Sequence, residues 1–115
     1  SKSNKEFNYC VELVKQNDFE AYLTTLIIPK EIMQPAFVVK AFNIELQSIG
    51  KSLKEPKISE IKLQFWKDQI EKLYSEKSSE TKPTNNSSEP ITNQIGIVIR
   101  KFNINKIWFN RLIDS

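Results

Sequence analysis

The chain has 115 residues, 39% of them hydrophobic and 27% charged, with a net charge of +3. That is enough for one small soluble domain, and its acidic and basic residues are too interleaved for a nucleic-acid footprint. With no histidine and a single cysteine, Cys10, the chain cannot assemble a Ser-His-Asp or Cys-His mechanism, an internal disulfide or an ordinary structural zinc site.

Apolar residues recur at helical spacing, and strand-like alternation is scarce. The first predicted helix is "KEFNYCVELVKQ", with Phe7, Cys10, Val11 and Val14 on one stripe. Cys10 therefore reads as a buried small hydrophobe rather than a nucleophile. Asn17, with Glu20 three residues on, is the expected cap of a second helix, "DFEAYLTTLII". Its expected buried face is Phe19, Tyr22, Leu23 and Leu26. Its near-apolar run, "YLTTLIIP", is too short to span a bilayer.

A third helix is expected from Lys30 or Pro35 to about Ile49, with Gly50 as its C-cap. Pro35 fits a first helical turn; a start at Lys30 would predict a kink there. Val38, Phe42, Leu46 and Ile49 form one stripe, and Phe37, Ala41 and Ile44 a second. A helix apolar on two sides belongs in the middle of a bundle. The fourth predicted helix, Ile58 to Tyr74, has Ile58, Ile61, Phe65, Trp66, Ile70, Leu73 and Tyr74 on one broad face.

Residues 75–90 contain no aliphatic or aromatic side chain and read as a flexible polar loop. A fifth helix is expected from Ile91 to Lys101. "NIN", Asn103 to Asn105, breaks or re-caps it. In the following "KIWFNRLIDS", Ile107, Trp108 and Leu112 are expected to face inward, with Phe109 a further candidate. Trp108 and Phe109 cannot both be buried on one narrow stripe, so one of them should face a partner or further chain. The fold class is therefore all-α, a helical bundle.

Three segments in order resemble the squalene/phytoene synthase family of class I prenyl-synthase folds. They are "LIIPKEIMQPAFVVKAFNIEL", "KLQFWKDQIEKLY" and "FNINKIWFNRLIDS". The resemblance covers the whole chain and matches the N-terminal part of a typical member. It implies a single domain over residues 1–115, incomplete at its C-terminal end. In active members the helix continues after "AF" into an aspartate-rich motif that holds Mg²⁺ against a substrate diphosphate. Those positions fall here at Gln47, Ser48 and Lys51, none of them anionic. A diphosphate–Mg²⁺ site needs grouped carboxylate oxygens. The second such motif of the family would lie beyond Ser115.

"NYCVELVKQNDFEAYL", "AFNIEL" and "QFWKDQIEKLY" resemble a non-catalytic branch of the family that serves early assembly of mitochondrial complex I, the NADH:ubiquinone oxidoreductase. That resemblance implies a protein-binding role without cofactor or metal, on the matrix side of the inner membrane. The implied partners are a nascent complex I subunit or other assembly factors, with a possible peripheral contact to the inner membrane. The alternative is a divergent prenyl-diphosphate synthase or transferase completed by downstream residues.

Four residues are candidates for a pocket or partner surface: Glu45, Phe65, Trp66 and Trp108. Glu45 is either a ligand- or partner-binding acid or a structural carboxylate paired with a Lys, an Arg or a Trp N–H. Phe65 and Trp66 line an isoprenoid-like pocket or belong to the core, which their helical spacing favours. Lys51, Lys54, Lys57 and Lys62 either attract phosphates or an anionic surface, or belong to a solvated loop, which the interspersed Glu55 and Glu60 favour.

Overall fold

A computed structural model describes residues 2–51, 56–78 and 89–114. The described residues form six helices and no strand: α1 (Lys2–Asn17), α2 (Phe19–Leu26), α3 (Lys30–Lys51), α4 (Pro56–Ser78), α5 (Pro90–Phe102) and α6 (Lys106–Asp114). Helix α3 packs against all five others. Its two apolar stripes explain this position. Val38, Phe42, Leu46 and Ile49 are buried, as are Phe37 and Ala41.

The core has an aromatic junction. Phe42 stands edge-on to Trp66 of α4 at 5.2 Å and to Phe109 of α6 at 5.8 Å. Such edge-to-face contacts each add about 0.5–1.5 kcal/mol beyond burial. On the other side of α3, Phe37 meets Phe7 of α1 at 6.1 Å and Tyr22 of α2 at 6.2 Å. Cys10 and Val14 complete that layer, both fully buried.

Several local features differ from expectation. Asp18, not Asn17, caps α2: its carboxylate accepts the Ala21 N–H at 3.0 Å. Asn17 closes α1 instead, donating to the Leu13 carbonyl at 2.8 Å. Helix α2 turns its small residues inward. Thr25 is buried and Ala21 packs on the core, with Tyr22 beside it, whereas Phe19, Leu23 and Leu26 are exposed. Among the described residues, this eight-residue helix is held only by α1 and α3 and has one narrow seat, which the residues that permit close approach occupy. Helix α3 begins at Lys30, so Pro35 lies inside it, and it runs through Gly50 to Lys51. Gly50 is therefore helical rather than a cap.

Helix α4 is narrower in its buried face than its sequence suggests. Leu63, Trp66, Ile70, Leu73 and Tyr74 face the bundle, while Ile58, Ile61 and Phe65 are exposed. Neighbours on one side cover only one stripe. Lys57 and Lys62 are solvated; Lys54 and the Lys51 side chain lie outside the described residues. The start of the predicted 75–90 loop is helical, since α4 continues to Ser78, and residues 79–88 lie outside the described residues.

Helix α5 starts at the N-cap Glu89 and ends on Asn103, which is left-handed at φ 54°. Asparagine tolerates that conformation better than most residues. Asn105 then caps α6, accepting the Ile107 N–H at 3.0 Å. That start sets the phase of α6. Phe109 and Ile113 turn inward with Leu112 partly covered, and Ile107 and Trp108 face out, contrary to the expected inward stripe.

Candidate functional site

The polar side of α3 forms a ridge between two clefts. Asn43 and Gln47 line both. One cleft, about 260 Å³, is closed by Asn17 and Asp18 at the α1–α2 junction and by Ala21, with Lys40, Ile44 and Ser48 on the α3 wall. The other, about 340 Å³, is more apolar. Leu46 and Ile49 face Leu63 of α4 and Leu112 and Ile113 of α6, and the Ser59 hydroxyl donates to the Ile49 carbonyl at 3.3 Å.

The first cleft holds Gln47 and Ser48, two of the three positions that the resemblance aligns with metal-binding carboxylates of active members. Both are neutral and solvent-exposed. Asp18 is the only carboxylate among the described lining residues, and it is engaged in capping α2. Lys40 places a positive charge on the same wall. Mg²⁺ demands near-octahedral oxygen coordination and is usually held by carboxylates together with substrate phosphate. The residues present do not fit that group, and no metal-dependent step follows from them. Among the described residues, no group of three or more Cys, Asp or Glu is placed to hold a metal ion.

A third region lies where α1, α3 and the start of α5 meet. Glu45 of α3 is half-buried, and no cation is within ion-pair distance of it among the described residues. The expected Lys, Arg or Trp partner is therefore not seen there. Instead Glu45 lies near Tyr9 and Glu89 and contributes to raising both their pKa values, after the larger effect of burial. The Glu89 carboxylate accepts the Ile91 N–H at 3.3 Å, which partly offsets its rise. Asn93 donates its amide to Glu6 across the α1–α5 interface. Burial and these nearby acids push the Cys10 thiol up to about 12.

The four predicted site residues are not brought together. Trp66 is core, 3% exposed against Phe42, whereas Phe65 contacts Trp66 at 5.5 Å but is 44% exposed. Trp108 lies on the outer face of α6, 58% exposed. Residues not named from sequence as site candidates do much of the polar work. Asn17, Asp18, Lys40 and Asn43 build the first cleft. Thr92, Asn93 and Gln94 are buried in the opening of α5. The polar triplet "TNQ" inside an otherwise apolar helix is the signal for the latter, legible only once α5 is known to be enclosed.

The order of helices, the bundle built around α3 and the cleft beside its polar positions define a squalene/phytoene synthase-like domain. The model of the squalene/phytoene synthase family matches residues 14–115, and the chain belongs to that family. It is similar to proteins named NADH dehydrogenase (ubiquinone) complex I, assembly factor 6. The Bos taurus protein is 34% identical over 107 residues, covering 93% of this chain and 30% of that protein. The Homo sapiens protein is 30% identical over 108 residues, covering 94% of this chain and 30% of that one. A Dictyostelium discoideum homolog of the factor is 32% identical over 112 residues, with 96% and 29% covered. The chain thus spans about 30% of the length of the curated relatives it matches. No solved structure matches it.

Proposed function

We propose that the protein is a non-catalytic assembly factor for mitochondrial respiratory complex I, working by protein binding on the matrix side of the inner membrane. Its partners on this reading are a nascent complex I subunit or other assembly factors, with a peripheral contact to the inner membrane. Gln47 and Ser48 on the cleft wall carry the reading. The family's chemistry needs anionic oxygens there to hold Mg²⁺ against a diphosphate, and a neutral amide and hydroxyl supply none. The likeness to the assembly-factor relatives supports the same conclusion from a separate direction. No described helix is long and apolar enough to cross a membrane, which is compatible with a peripheral placement.

The test is depletion of the protein in its host, followed by native electrophoresis of digitonin-solubilised mitochondria with staining for NADH dehydrogenase activity. Selective loss of mature complex I, with other respiratory complexes intact, is expected. Normal complex I would refute the assembly role. A parallel incubation of purified full-length protein with Mg²⁺ and farnesyl diphosphate is expected to give no prenyl transfer, and turnover there would refute the non-catalytic reading.

A further inference from the structure

We draw no further inference here: the strongest candidate, the pair of clefts on either side of Asn43 and Gln47 on α3, belongs to the site already described, and nothing in the structure shows what would fill it.

Discussion

Removing the Phe42 ring should test what clamps α4 and α6 to the centre of the bundle. Phe42 is fully buried, and Trp66 and Phe109 meet it edge-on from two different helices at 5.2 and 5.8 Å. A buried Phe→Ala change costs about 3–5 kcal/mol. Both ring partners lose their contact at once, and neither can follow the cavity without leaving its own helix, so the upper half of that range is expected. Domains of this kind have about 5–15 kcal/mol in total. With a urea slope of about 2 kcal/mol/M, a loss of about 4 kcal/mol lowers the midpoint by about 2 M. Equilibrium urea unfolding followed by circular dichroism measures it. Phe65→Ala is the control: its ring touches Trp66 from the outside, and a loss below about 1 kcal/mol is expected. If Phe42→Ala and Phe65→Ala cost the same, the aromatic junction does not hold the bundle together.

Three other outcomes follow from individual sites. Asp18→Ala should cost about 0.5–2 kcal/mol through loss of the α2 cap, while Asn17→Ala should stay within about 0.5 kcal/mol; chemical denaturation that reversed this order would return the cap to Asn17. Cys10, buried and with its thiol raised to about 12, should resist maleimide labelling in the native protein and react on unfolding; rapid native labelling would contradict its burial. Glu89 lies above its ordinary value of 4.5, chiefly through burial and with Glu45 adding to the rise. The folded protein then holds that proton more tightly than the unfolded chain. The stability it contributes is present below the unfolded value and is lost as pH rises through the folded one. Glu89→Gln should flatten that fall in denaturation midpoint, and an unchanged pH slope would remove Glu89 as its source.

The helices were legible because their apolar spacing was regular, and α3 most of all. Val38, Phe42, Leu46 and Ile49 lie on one stripe and Phe37 and Ala41 on another, which required neighbours on both sides. What periodicity could not settle was how wide a covered face would be. Ile58, Ile61 and Phe65 extend the apolar face of α4 past the helices available to cover it. The short α2 inverts the usual rule, seating Ala21 and Thr25 and leaving Phe19, Leu23 and Leu26 outside, since close approach mattered more than area. In α6 the phase hung on the cap at Asn105, and an error of one position exchanges Trp108 for Phe109. Gln47 and Ser48 were singled out in the sequence only through the resemblance to the family. Their cleft partners Asn17, Asp18 and Lys40 were not named as site candidates, because they meet only through the packing of α1 and α2 on α3.

The geometry of α3 separates what supports the fold from what would support chemistry. Its buried residues hold the other helices, while Gln47 and Ser48 lie on the solvent side and contribute nothing to the core. Carboxylates at positions 47 and 51 would form an i, i+4 pair repelling by about 0.2–0.5 kcal/mol, whereas Gln47 and Lys51 stand there in this sequence. An amide and a hydroxyl at positions 47 and 48 therefore cost the bundle no packing. Helix α3 can therefore keep its packing role whatever those two solvent-side positions carry.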